Sequence, residues 1–460
     1  MVTVPFDARM VHRGDAGYEV LRRVAVWNRR VPPRYPEAIV VARSVDDVVD
    51  AVALARERGL RVSVRSRGHD WAGGALRDAS LLLDVSNLYG LRIGGADAEV
   101  GPGLTGGDLT AALAARGLGF PAGHCRDVGL GGYLLAGGMG WNAGVWGPAC
   151  HSVVEVEVVT ADGRVRRVDD GCDDGSLWSA RGAGPGYAGI VTRFRLRVYR
   201  APRAVVTSTF VFPIQDLPTV GEWVAELAQS LDRRIELSLF LTTAPSSIGE
   251  LGVEAGRHVV IVTATAFAGS HSACGTLLGP LERGTGRRGY VESEARRETP
   301  HQALYEVTGR RLPAGRRFAV DCLWTDDEPA TVLETIGAAL RAAPSPSSSF
   351  LLNVAPAQPP AVAPPPAALS TRGRLYVSTY AVWDDEHDDA RNATWLRGAQ
   401  DALAPAASGR YVGEADLFAA PGRARECYSQ AAWTRLLEVR RRLDPDGLFC
   451  GFPEGHETLS

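Results

Sequence analysis

His69 and Cys125 are the two side chains in this sequence best placed to bond with a small partner, because each sits where glycines leave the backbone bare. His69 lies in RSRGHDWAGG (65–74), between Gly68 and the pair Gly73 and Gly74. Cys125 lies in PAGHCRDVGLGGYLLAGGMG (121–140), which also holds Gly123, Gly129, Gly131, Gly132, Gly137, Gly138 and Gly140. Runs of residues without Cβ atoms let N–H groups approach a phosphate or a flat ring closely. Imidazole and thiolate are also common protein nucleophiles for covalent attachment to a flavin, so a tethered FAD is the first chemistry the two loops suggest. The competing readings are a loop histidine satisfied by backbone and a cysteine acting as a small buried hydrophobe. A metal is a weaker partner: His124–Cys125 and Cys150–His151 are paired donors, but adjacent residues rarely converge on one ion, and the spacing fits no usual zinc pattern. No G-x-G-x-x-G follows a strand and opens a helix, so a dinucleotide fingerprint is not expected.

The elements that must position these loops can be read from periodicity. AIVVARSVDDVVDAVALARERGLRVSVRSRGH (38–69) predicts strand, helix, strand. Ser44 and Asp47 form a capping-box start, Val45, Val48, Val49, Val52 and Ala55 share one helix face, and Gly59 supplies the stop. The His69 loop therefore leaves a strand end, where ligands commonly bind. Further strands are predicted over 81–88, around Ala98 to Val100 and over 152–163, with a helix over 107–116. After Pro202 the glycine clusters thin out. Strands are predicted at 205–212, 235–243, 257–267, 317–324, 348–354 and 374–383, and helices at 217–231, 271–283, 328–342 and 387–404. The proline-rich stretch 355–370 should be an extended surface loop. A helix over 428–443, followed by the turn DPDG, should return its apolar face to the first unit. The expectation is an α+β protein with three segments: 1–203 binding the cofactor, 204–405 forming a sheet covered by helices, and 406–460 returning to the first.

Composition narrows the class. A length of 460 residues favours more than one core, and 45 % apolar with 22 % charged residues is ordinary for a soluble enzyme. The net charge of −3 gives no electrostatic reason to expect nucleic acid or an anionic membrane as partner. All 50 basic residues are arginine, which points to GC-rich coding and a bacterial source. Seven dispersed cysteines argue against a secreted disulfide framework. With no leader-like N-terminus and no apolar run of membrane-spanning length, a cytoplasmic protein is expected.

Taken together, four segments resemble the FAD-linked oxidases of the vanillyl-alcohol oxidase (PCMH-type) superfamily, in particular the berberine-bridge-enzyme-like branch with doubly attached flavin. RSRGHDWAGG resembles the family's R-x-G-G-H loop carrying the histidyl link, with Arg67 where a glycine is usual. CRDVGLGG resembles its C-x-x-V-G-x-G-G loop carrying the cysteinyl link. RGAGPGYAGIVT (181–192) is similar to RGGGxNFGIVT, and RRLDPDGLF (441–449) to the closing K-x-x-x-DP-x-x-xF. The resemblance implies a PCMH-type FAD-binding unit beside a substrate unit built on an antiparallel sheet. It implies FAD bound covalently through His69 and Cys125, with Arg65, Ser66, Arg67, Gly68, Gly129, Gly131, Gly132, Gly137, Gly138, Gly189, Ile190 and Val191 around it.

By the same resemblance, a hydride passes from a small organic substrate to the flavin and O2 becomes hydrogen peroxide. Val128 occupies the family's oxygen-gate position, where valine accompanies oxidases. Tyr133 stands where a histidine supports the pyrimidine side of the flavin, and its phenol can donate that hydrogen bond. Tyr411 matches the first tyrosine of the family's Y-x-N-Y, whereas Gly413 and Glu414 replace the asparagine and the second tyrosine. This argues against simple transfer of the carbohydrate-oxidising mechanism and for a role in tailoring secondary metabolites. Glu414 is either the base or a solvated loop acid. Tyr376 and Tyr380 share one face of a predicted strand, with Trp383 on the other, and either line the substrate cleft or pack in the core. A dehydrogenase using another acceptor, and a protein in which flavin only scaffolds a site, remain the alternatives.

Overall fold

The computed structural model describes residues 10–171, 174–244, 256–285 and 292–453. Cys172 lies outside them, and the other six cysteines are free thiols. The capped helix forms over Val45–Arg58. Ser44 Oγ accepts from Asp47 N–H, Asp47 reciprocates to the Ser44 N–H, and Gly59 closes the helix at φ +64°. The strands on either side of it, Ala38–Val41 and Arg61–Arg65, are not direct neighbours. Ser80–Asp84 lies between them, parallel to both, and Met10–His12 completes a four-stranded sheet. Beside it stands an antiparallel five-stranded sheet in the order Leu91–Gly94, Asp97–Val100, Ile190–Arg197, Val153–Val159, Val165–Asp169.

From Ala204 onward the chain builds an eight-stranded sheet whose paired neighbours are all antiparallel. Its order is Glu292–Glu298, Ala204–Pro213, His258–Ala268, Ile235–Thr243, Ser349–Val354, Leu375–Trp383, Arg317–Thr325, Ala407–Gly409. Side chains alternate across a strand, and here the two faces have different neighbours. Leu237, Leu239 and Leu241 pack with Val220, Trp223, Leu333 and Ile336 from helices Leu217–Ala228 and Pro329–Arg341, while Glu236, Ser238 and Phe240 face a cavity. Strand Glu292–Glu298 and helix His301–Arg311 were not expected from the sequence.

Helix Gln430–Leu443 returns to the first unit, and the chain after it pairs with the first sheet: Val62 N–H bonds Leu448 O at 2.7 Å and Cys450 N–H bonds Val62 O at 2.8 Å. The proline-rich stretch is extended, as expected, but it does not stay at the surface. Ala368 and Leu369 are buried, and their N–H groups bond Trp178 O and Arg181 O. Apolar side chains at its end, close to Gly137 and Gly182, account for the difference.

Candidate active site

The two glycine loops and the inner face of the large sheet line one cavity of about 560 Å³. On the cofactor side, strand Arg61–Arg65 ends in a turn that only glycine fits at position 68. Its φ is +74°, and a Cβ would stand 2.2 Å from Ala25 O. That turn lays the His69 imidazole against Trp27, with ring centroids 5.0 Å apart and planes 25° apart. Burial drives the His69 pKa down to about 4, against an opposing pull from Asp127, so the ring is a neutral imidazole at physiological pH.

The three residues before Gly68 also line the cavity, and their polar side chains bond to the scaffold. Arg65 pairs with Asp84 at 2.5 Å and donates to Ala25 O and Val24 O. Ser66 Oγ donates to Pro102 O at 2.7 Å, and Arg67 Nε to Gly103 O at 2.8 Å.

The Cys125 loop presses directly on this one. A Cβ on Gly129 would fall 2.2 Å from Ser66 Oγ, and one on Gly131 would fall 2.9 Å from Pro102 Cβ. Gly129, Gly131, Gly132, Val128, Gly189, Ile190 and Val191 all line the cavity. Gly137 and Gly138 do not. They take φ +122° and +77° and pack against Leu369, Tyr133 and Ala149 behind the wall, so they shape the loop rather than touch a ligand. Burial, reinforced by the Glu414 and Asp127 carboxylates, pushes the Cys125 thiol up to about 12. Tyr133 reaches the cavity, but its hydroxyl proton goes to Pro121 O at 2.7 Å. A phenol has one proton to give, so the expected hydrogen bond from Tyr133 to a ligand is not available in this arrangement.

Across the cavity, Glu414 is not a solvated loop acid. Its Oε2 accepts from Tyr376 Oη at 2.5 Å and from Ser378 Oγ at 2.8 Å, and Tyr380 Oη approaches Oε1 at 3.5 Å, long for a hydrogen bond. Tyr376 and Tyr380 thus share the cavity face of strand Leu375–Trp383, while Trp383 points away and donates to Asp389. Burial also raises the phenol pKa of Tyr411, whose oxygen accepts from Gly138 N–H at 3.0 Å. Tyr411 lines the cavity and links the Glu414 loop to the Cys125 loop.

A buried ionic cluster stands behind Glu414. Asp321 pairs with Arg410 and Arg423 and accepts from Asp416 N–H, and Arg410 also reaches Gln400, Glu426 and Cys322 O.

Sequence reasoning did not find three features of the wall. His124 Nε2 lies 2.6 Å from Glu236 Oε1, and its ring packs on Trp141. Burial opposes a proton on His124, but the Glu236 carboxylate outweighs it and the pKa is raised. Cross-strand register sets Thr263, Ser238, Asn353 and Tyr376 in one polar row on the sheet floor. Arg311 reaches over that row from the last residue of its helix. A histidine next to the candidate cysteine was the one available signal; the rest needed the register.

The residues present fit a flavin. The loops are bare of Cβ atoms at the cavity-lining glycines Gly68, Gly74, Gly123, Gly129, Gly131 and Gly132, a neutral imidazole and a thiol stand on them, and a carboxylate faces them.

Residues 36–169 match the family described as FAD binding domain. The chain is 29% identical over 438 residues to FAD-linked oxidoreductase nodO of Hypoxylon pulicicidum, covering 93% of each protein. It is 30% identical to (R)-6-hydroxynicotine oxidase of Paenarthrobacter nicotinovorans over 234 residues, 50% of this chain and 49% of that one. Its fold superposes on berberine bridge enzyme from Eschscholzia californica with a TM-score of 0.82, at 19% identity over 98% and 97% of the two chains. The chain is an FAD-dependent oxidoreductase that carries an FAD-binding domain and shares the fold of berberine bridge enzyme.

Proposed function

We propose that this protein is an oxidase that holds FAD through two covalent links, at His69 and Cys125, and dehydrogenates a small organic substrate with Glu414 as the base. The observation that carries the reading is Glu414 itself, a carboxylate fixed by Tyr376 and Ser378 in the cavity that the two glycine loops line. When bound, the flavin supplies the hydride acceptor, and the protein supplies position and electrostatics.

Glu414 Oε2 is occupied by two hydroxyl protons, which leaves Oε1, with only the long Tyr380 approach, as the oxygen that takes the substrate proton. The neutral His69 ring keeps a lone pair for the histidyl link. Cys125, its thiol pushed up by burial and by the Glu414 and Asp127 carboxylates, would hold the second link. Val128, on the cavity wall, admits O2, which takes the two electrons and two protons as hydrogen peroxide. Within the same proposal, 1–203 with 406–460 make the cofactor unit and 204–405 the substrate unit, and the all-arginine basic complement supports a bacterial source. Tailoring of secondary metabolites is the role that the altered Y-x-N-Y segment favours.

The test uses a substrate found by screening secondary alcohols and cyclic amines for anaerobic bleaching of the flavin. Glu414→Gln should slow that bleaching in stopped flow by about 10²- to 10⁴-fold with the flavin retained. A near-normal rate would move the base elsewhere. Reduced wild-type protein should reoxidise promptly in air-saturated buffer, whereas sluggish reoxidation would make it a dehydrogenase.

A further inference from the structure

Buried and half-buried arginines in this fold are usually matched with an acid. Arg410 has Asp321 and Glu426, Arg181 has Asp170, Arg65 has Asp84, and Arg317 has Asp389. Arg311 is not. It ends helix His301–Arg311 and turns inward to the cavity, where Nη2 donates to Thr263 Oγ1 at 3.3 Å and the guanidinium lies 5.1 Å from the Phe240 ring centroid. Among the described residues no carboxylate pairs with it. Burial, and then the neighbouring Arg310 charge, push its pKa down to about 10, which leaves it still protonated at physiological pH. A cation at a helix C-terminus is favoured by the helix dipole, but that explains a solvated arginine, not one turned onto the floor of a cavity. Stripping water from a guanidinium without supplying an anion is costly, so such groups are paired as a rule. Here the guanidinium lines the cavity, hydrogen-bonded to the Thr263 hydroxyl.

We propose that Arg311 receives an anionic group of the substrate, a carboxylate, and that this protein therefore acts on organic acids. The proposal rests on the oxidase reading of the same cavity and names its substrate class. The planar guanidinium matches a carboxylate with two parallel N–H···O bonds, and the Thr263 hydroxyl stands beside it.

The register fixes how long such a molecule must be. Thr263, under Arg311, pairs with Ser238; Ser238 pairs with Asn353; and Asn353 pairs with Tyr376, which holds Glu414. Three interstrand steps at roughly 4.8 Å each put about 14 Å between the two anchoring strands. A molecule that meets Arg311 at one end and Glu414 at the other is elongated, with its acid group remote from the carbon that is oxidised. Binding energy collected at a distant anion then serves to orient the reacting end.

The holoprotein is titrated with 2-naphthoate and with its neutral isostere 2-naphthamide, following heat and the flavin absorbance. The acid should bind at least about tenfold more tightly, and Arg311→Met should abolish that preference while leaving the amide affinity in place. In wild-type protein, 2-naphthoate but not 2-naphthamide should shield Arg311 from phenylglyoxal, read by peptide mass, so the outcome does not depend on the variant folding. Equal binding of acid and amide, an acid preference that survives Arg311→Met, or labelling of Arg311 unaffected by 2-naphthoate would each overturn the assignment. None of these measurements needs turnover. Failure of the oxidase reading would show separately, as a flavin that no substrate bleaches.

Discussion

The two sides of the cavity are built on opposite plans. On the cofactor side, the backbone makes the surface: Gly129 and Gly131 let two loops and the Pro102 turn lie in contact, and Ser66 and Arg67 tie them with hydrogen bonds to carbonyls. On the substrate side, side chains make the surface. Glu414, Tyr376, Glu236 and Arg311 come from separate segments and meet only because the large sheet is in register. A surface made of backbone suits a cofactor that never changes, whereas one made of side chains can be altered residue by residue without disturbing the loops behind it.

That contrast can be broken from either side. The largest expected effect is on the substrate wall, where Asp321→Asn strips the acid from the buried cluster around Arg410 and Arg423. Leaving buried charges uncompensated costs about 3–5 kcal/mol. Thermal unfolding should shift down accordingly, and substrate turnover should fall while the flavin spectrum of the folded protein stays. Loss of flavin in step with activity would show that the two sides are not independent.

A smaller effect belongs to the cradle. Gly129→Ala drives a methyl group to 2.2 Å from Ser66 Oγ and 2.7 Å from Arg67 Cγ, and overpacking of this kind costs about 1–3 kcal/mol. Flavin content after purification should drop. Gly398→Ala is the control: no atom lies within 4 Å of the added carbon, inside helix Asp389–Leu403 and outside the cavity lining. It should be neutral or stabilising by up to about 1 kcal/mol. Equal damage from the two substitutions would refute the close-contact account of the cradle.

The same contrast explains what could be read from the amino-acid order. Local rules announce the cradle: a capping box at Ser44, an αL stop at Gly59, and glycines around His69 and Cys125 are all visible within a few residues. The six strands expected after Pro202 are all present, because each segment is rich in apolar and β-branched residues. Strand Glu292–Glu298 escaped notice because it is charged almost throughout and pairs on one side only. Helix His301–Arg311 buries only Leu304 and Tyr305, too few to set a helical period. Arg311 and Glu236 carry no local mark at all, since their meaning depends on which strands lie side by side. Tyr133 went the other way. Its type suited chemistry, but its hydroxyl proton goes to Pro121 O.

The most direct measurement is of attachment. Wild-type protein is precipitated in acid, digested, and its coloured peptides are weighed. The account predicts that the colour stays with the pellet and that the peptides containing His69 and Cys125 are recovered joined through one flavin. Colour released wholly into the supernatant as free FAD, with both peptides at their unmodified mass, would contradict it.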